Sequence, residues 1–276
     1  MSDFSIENLS MSFGGLKAVN DVSFRASDGE VFSVIGPNGA GKTTIFNCIS
    51  GLYKPDQGKI LYDDLDLVTM KPHQIAMAGV ARTFQNIELF GMMNTIENLL
   101  VAQHIHQTGG VLSGAFLTKK VKNEERKIRE RAEEILEFLN LTDVAYQLAG
   151  GLPFGIQKRI ELGRALALNP KVLLLDEPAA GLNPQEVEEK ADLIREIRET
   201  YSLTVLLVEH DMRLVMGISD RITVINFGSK IAEGSPSEIQ NNHNMHSATF
   251  NEERKNLRVK QPPIITENQN RNIILN

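Results

Sequence analysis

Gly36-Pro37-Asn38-Gly39-Ala40-Gly41-Lys42-Thr43-Thr44 is the stretch whose chemistry decides the fold. Its first eight residues match G-x-x-x-x-G-K-[ST], after the apolar segment Val31–Ile35 and before a helical pattern through Ile45, Phe46 and Ile49 that Gly51 ends. A strand, a glycine-rich turn and a helix in that order suit a phosphate group. The glycines let consecutive backbone N–H groups turn inward around an anion, and the helix N-terminus adds partial positive charge. Lys42 is expected to reach the β- and γ-phosphates of a nucleotide, and the Thr43 hydroxyl to ligate Mg2+.

Further along, Lys171-Val-Leu-Leu-Leu-Asp176-Glu177 reads as a strand buried on both faces and ending in two acids. In open α/β sheets ligands bind outside the carboxyl ends of the strands, so the first acid is expected beside the phosphates. Asp176 is expected to hold Mg2+, directly or through water, and Glu177 to orient or deprotonate an attacking water. A second apolar strand, Thr204–Val208, ends in Glu209-His210-Asp211. A histidine just past a buried strand is more often structural. Its place on the same sheet edge makes His210 a candidate donor to a γ-phosphate.

Outward from these motifs, the first 35 residues alternate short apolar strands with turns at Gly14-Gly15 and Asp28-Gly29, and Lys59–Tyr62 reads as another strand. The middle, from about residue 86, is mostly helical. Its clearest helix carries Ile128, Ala132, Ile135, Leu136 and Leu139 on one face, with charges including Glu125 and Arg129 on the rest. After residue 170 the β/α rhythm returns, with a helix from Pro184 to about Thr200 and strands at Ile222–Ile225 and Lys230–Ala232. Nine of the last 36 residues are asparagine and apolar periodicity fades, so residues 243–276 read as a poorly ordered tail.

Composition narrows the class. The chain has 276 residues, 42% of them hydrophobic, enough for a core. Its longest apolar runs are pieces such as Val172–Leu175, whereas a membrane-spanning helix needs about 20 apolar residues. The opening MSDFSIENLS shows no secretory pattern. Thirty-five acids against 29 bases give a net charge of -6, which argues against nucleic acid as a partner. The lone Cys48 fits a reducing compartment. The expectation is a cytoplasmic chain whose membrane role, if any, comes through a partner.

In order and spacing these motifs resemble the ATP-binding subunits of ABC transporters, over roughly residues 3 to 242. The resemblance implies an α/β P-loop NTPase (RecA-like) with a mainly parallel sheet core, an N-terminal antiparallel β subdomain and an inserted α-helical signature subdomain. It divides the chain into a domain at 1–242 (core 1–85 and 166–242, helical part 86–165) and the tail. It implies ATP and Mg2+ as cofactors, with Thr44 completing the phosphate loop. Gln85 is implied to sense Mg2+ and water and to link to the permease, and Phe13 to stack on adenine. Ala180-Gly-Leu-Asn183 corresponds to the D-loop, and His210 to the switch histidine. Leu152-Pro153-Phe154-Gly155-Ile156-Gln157 corresponds to the signature loop, which faces ATP held by a second subunit in a head-to-tail dimer.

Within the family, Gly79–Phe90, Ala149–Gln157, Asp176–Pro184, Val208–Met216 and Gly234–Asn242 resemble LivG-type subunits of branched-chain amino acid importers. That group implies two transmembrane permease subunits, a second ATP-binding subunit and an external substrate-binding protein, at the cytoplasmic face of the inner membrane. Amide and urea importers and lipopolysaccharide-transport ATPases use similar subunits, and a soluble ABC ATPase or a regulatory module that binds without hydrolysing stays open as well. Pro153 stands where the superfamily usually has serine. Ile156 stands where the group has glutamine, which implies one polar contact fewer to nucleotide or water. Residues 86–93, with Leu89, Phe90, Met92 and Met93, are expected either to meet the permease or to pack within the helical region.

Overall fold

The computed structural model describes residues 3–85, 87–103 and 119–241. Two sheets share the molecule. A four-stranded antiparallel sheet has the order β2-β1-β4-β5, with β1 Phe4–Phe13, β2 Leu16–Ala26, β4 Gln57–Tyr62 and β5 Leu65–Asp66. A six-stranded sheet runs β10-β9-β3-β8-β7-β6, with β3 Val31–Ile35, β6 Val80–Arg82, β7 Val172–Asp176, β8 Thr204–Val208, β9 Arg221–Asn226 and β10 Ser229–Gly234. All its pairings are parallel except β9 with β10.

The central strands β3, β7 and β8 are apolar apart from Ser33, Asp176 and Thr204 because both faces are covered. Along β7 and β8 the side chains alternate. Leu174, Leu206 and Val208 join a core with Phe4, Phe24, Ile45 and Phe46, under the antiparallel sheet and helix α1 (Lys42–Ile49). Leu173, Leu175, Val205 and Leu207 face a second core on the opposite side. Ile194 and Ile197 enter that core from a later helix, Pro184–Tyr201. Burying each such side chain contributes roughly 1.5–3 kcal/mol.

The segment between β6 and β7 is helical, as expected. Among its described helices are α3 (Thr95–Gln103), α4 (Lys119–Phe138) and α5 (Phe154–Ala167); α2 (Pro72–Met77) precedes β6. Ala132, Ile135 and Leu136 of α4 are buried, as is Leu139 just beyond it, while Ile128 is only half-buried. Ion pairs on α4 run Arg126–Glu130 and Arg131–Glu134; the spacing pair Glu125 and Arg129 is not among those of the described residues. After β7 come α6 (Pro184–Tyr201), α7 (Met212–Ile218) and α8 (Pro236–Gln240). Among the described residues no helix is long and apolar enough to cross a membrane. The tail expected at 243–276 lies outside the described residues.

Two departures from the expected elements have simple causes. β1 runs past the apolar Phe4–Leu9 piece to Phe13, through Ser10, Met11 and Ser12, where register shifts replace strict alternation. β6 has three residues, too few to show a period, and forms because Val80, Ala81 and Arg82 pair with Val172, Leu173 and Leu174.

Candidate functional site

Parallel register carries the ends of β3, β7 and β8 to one edge: Val34 pairs with Val208, and Val208 with Asp176. The phosphate loop, the two acids and the histidine loop therefore leave the sheet side by side.

Backbone closeness dictates the glycines of the first loop. At Gly41, with φ 108, a Cβ would fall 2.4 Å from the Ala18 carbonyl oxygen, and at Gly36 one would fall 2.0 Å from that of Ile225. Any side chain at either position would push the loop off β2 or β9. Ala40 is buried, Pro37 half-buried, and Asn38 and Gly39 exposed. Lys42 is buried and its Nζ donates to the carbonyls of Gly36 (2.7 Å) and Pro37 (3.0 Å), so its ammonium lies over the loop where a phosphate oxygen would compete for it. Thr43 is exposed and Thr44 half-buried in the first turn of α1.

Asp176 ends β7 in a buried position. Its Oδ2 accepts from Arg82 Nη2 at 2.6 Å, while Oδ1 is buried with no hydrogen-bond partner. Arg82 also donates to Asn47 Oδ1 (2.8 Å) and Ser50 Oγ (3.1 Å), and its guanidinium lies 4.9 Å from the Phe84 ring centre. A buried carboxylate oxygen without a donor fits a cation or its coordinated water. Among the described residues no group of three or more His, Cys, Asp or Glu could hold a metal. Mg2+ at this place would thus rely on one carboxylate, a hydroxyl, a carboxamide and phosphate oxygens, few protein ligands being usual for this ion.

Glu177 adopts the left-handed conformation, φ 49, uncommon outside glycine and concentrated at functional sites. Its N–H donates to the Val208 carbonyl at 2.9 Å, tying the turn to β8. Its Oε2 accepts from Gln85 Nε2 at 2.8 Å and lies 3.9 Å from His210 Nδ1. Gln85, Glu177 and His210, 125 positions apart in sequence at their extremes, form one group. Under them Glu209 is fully buried: Oε1 accepts from the Ala179 N–H (2.7 Å), and Oε2 from the N–H groups of His210 (2.7 Å) and Asp211 (3.1 Å). Asp211 caps α7 through the Arg213 N–H, and the Arg213 side chain holds its carboxyl below the usual carboxylate range.

The remaining expected residues stand apart from that group. Pro153 is the N-cap of α5 and supplies no side-chain cap; its carbonyl accepts from the N–H groups of Ile156 (2.9 Å) and Gln157 (3.0 Å). Gln157 Nε2 holds the Leu152 carbonyl at 2.8 Å. Leu152 is buried, Phe154 and Gly155 exposed. Ile156 packs against the helical core, so its side chain serves packing within the chain. A cleft of about 290 Å³ lies between this loop and the head of α6, lined by Phe154, Ile156, Arg159, Leu182, Glu186 and Lys190 among others. Asn183 caps α6: its Oδ1 accepts from Gln185 N (3.0 Å) and Glu186 N (3.1 Å), which commits that oxygen within the chain. Phe13, 44% exposed at the end of β1, meets Tyr53 edge-to-face at 5.3 Å. In the 86–93 stretch Phe90, Met92 and Met93 are exposed, whereas Leu89 is half-buried against the helical core, so the two expected outcomes divide among these residues. Asn86 lies outside the described residues.

A family model described as ABC transporter matches residues 19–180. The chain belongs to the ABC transporter family. It is 47% identical over 247 residues to the high-affinity branched-chain amino acid transport ATP-binding protein BraF of Pseudomonas aeruginosa, covering 90% of this chain and 97% of that protein. Against LivG of Escherichia coli K12, which carries the same description, identity is 48% over 248 residues, with the same coverage of both. Among solved structures, the ADP conformation of an ATP-binding cassette of an ABC transporter superposes with TM-score 0.77 at 33% identity, covering 90% of this chain and 98% of that one.

Some residues of this cassette escaped the sequence reading. Arg82 sits inside the quoted Gly79–Phe90 stretch, yet nothing local marks it as the partner of an acid 94 positions away. Glu209 had a usable signal, an acid at the very end of an all-apolar strand, where only an internally bonded carboxylate is tolerable. Glu161 and Lys158 on α5 hold the backbone at Phe84 and Gln85. Burial pushes the Glu161 carboxyl above its ordinary value, outweighing the downward pull of the Phe84 N–H and of Lys158.

Proposed function

We propose that this cassette binds Mg-ATP at Gly36–Thr44, hydrolyses it, and uses the cycle to drive an importer of branched-chain amino acids. The single observation that carries the hydrolytic part is the hydrogen-bonded meeting of Gln85 with Glu177, 3.9 Å from His210, at the edge from which the phosphate loop also leaves. The cargo rests on the near-half identity to two branched-chain amino acid transport subunits.

In this reading the N–H groups of Asn38–Gly41 and Lys42 bind the phosphates. Thr43, Asp176 and Gln85 hold Mg2+, which when bound neutralises charge developing on the phosphate oxygens. Glu177 orients the attacking water and takes its proton, and His210 donates to the γ-phosphate. Phe13 stacks on adenine. Leu152–Gln157 presents the free N–H groups at the head of α5 to ATP on a second subunit, and Asn183 lies at the same dimer seam. The working domain is 1–242, with 86–165 as the helical part. Two permease subunits, a second ATP-binding subunit and an external binding protein complete the assembly at the cytoplasmic face of the inner membrane. Exposed Phe90, Met92 and Met93 form the permease contact.

Tagged pull-down from detergent-solubilised native membranes tests this. Recovery of two multi-span permeases and a second ATPase, with loss of leucine uptake on deletion, is expected. Recovery of soluble partners alone would overturn the transport reading.

A further inference from the structure

The backbone after β6 leaves the sheet with its last ladder bond at Thr83 N to Leu174 O, 3.0 Å. From there Phe84, Gln85, Ile87 and Glu88 have no regular structure, and side chains of α5 take over polar groups of Phe84, Gln85 and Glu88. The Phe84 N–H donates to Glu161 Oε1 at 2.9 Å. Lys158 Nζ donates to the carbonyls of Phe84 (3.2 Å) and Gln85 (2.8 Å), and the Arg164 guanidinium donates to the Glu88 carbonyl. Three residues on successive turns of one helix thus hold the irregular segment on which Gln85 sits.

We propose that Lys158 and Glu161 are positioning residues for Gln85, fixing its backbone so that its carboxamide reaches Glu177. This rests on the hydrolytic reading above and deepens it. A hydrogen bond of 2.8 Å between Gln85 and Glu177 tolerates only fractions of an ångström of backbone drift. The Gln85 side chain does not itself anchor that backbone; the clamp does. Stability alone is a poor reason for Glu161, because a buried carboxylate with a lysine partner gives little net gain over an apolar residue of the same volume. The lysine ammonium also lies 5.8 Å from the Phe154 ring centre, and Gln157 of the same helix holds the Leu152 carbonyl. Displacement of the head of α5 is therefore passed to Gln85 by the helix that carries both sets of contacts.

The test is a double-mutant cycle on ATP hydrolysis by the full transport complex. Lys158→Met keeps the stem and removes the donors. It is expected to lower kcat roughly 10-fold, the scale of a small misplacement of a catalytic group, with the KM for ATP and the thermal midpoint little changed. Gln85→Ala is expected to lower kcat similarly, and the Gln85→Ala/Lys158→Met double variant to be no slower than Gln85→Ala alone. Glu161→Gln, which keeps an oxygen for the Phe84 N–H, is expected to lose less than Glu161→Leu. Multiplying losses in the double variant, or an unchanged kcat in Lys158→Met, would overturn the clamp while leaving the hydrolytic reading intact. A silent Gln85→Ala would overturn both.

Discussion

Replacing Arg82 by methionine removes a guanidinium from a place where water cannot substitute for it. The Arg82 and Asp176 side chains are only 7% and 2% exposed, and their contact of 2.6 Å is fully desolvated. Asp176 Oδ1 already has no partner, so Arg82→Met leaves the whole carboxylate unpaired and also removes a donor from Asn47 and from Ser50. Breaking one side of a buried ion pair costs about 3–5 kcal/mol, because the surviving charge stays buried. For a domain of this size that is a fall in melting midpoint on the order of 6–20 °C. Thermal and denaturant melts of the isolated subunit in EDTA would read it. If the loss comes from the stranded charge, Arg82→Met/Asp176→Asn should be more stable than Arg82→Met alone. A loss below about 1 kcal/mol, the size typical of exposed pairs, would refute the reasoning, as would an Asp176→Asn effect that merely adds to it.

Two other perturbations follow from the geometry. Gly41→Ala should abolish measurable nucleotide binding and lower stability by more than about 1 kcal/mol, since φ 108 and the Ala18 oxygen at 2.4 Å both exclude a Cβ; fluorescent-nucleotide titration and a thermal melt check this. Lys190, on the side of α6 that faces Lys158 and Arg159 of α5, is pushed down to about 8 by burial first and then by Arg159 and Lys158. Its folded form binds the proton less tightly than the unfolded chain, so stability should rise as pH goes from about 8 toward 10.4, and Lys190→Met should remove that rise in denaturant midpoints.

The parts of the site legible in the sequence were those whose chemistry is local. Gly36–Thr43 lies among its own strand, turn and helix signals, and Val172–Leu175 and Val205–Val208 announce buried parallel strands by being apolar throughout. Parallel pairing then brings Asp176 and the residues after Val208 to one edge, as the topology of such sheets requires. Contacts made across the chain were not legible. Nothing near Arg82 points to Asp176, and nothing near Lys158 points to the carbonyl of Gln85, 73 positions earlier. The facing of apolar residues in a bend was not legible either, because the bend decides it. Leu89 turns inward beside exposed Phe90 because fully buried Asn98 holds the Phe90 N–H and carbonyl at 3.0 and 3.1 Å. Ile156 also takes a packing role that its neighbours in sequence do not announce, resting on the helical core from the first turn of α5.

The most direct measurement is single-turnover hydrolysis of bound ATP by the assembled complex carrying Glu177→Gln. The glutamine can still accept from Gln85 but cannot take a proton from water, so ATP should bind with unchanged affinity while hydrolysis slows roughly 10²–10⁴-fold. Hydrolysis at the wild-type rate would contradict the assignment of Glu177 as the base.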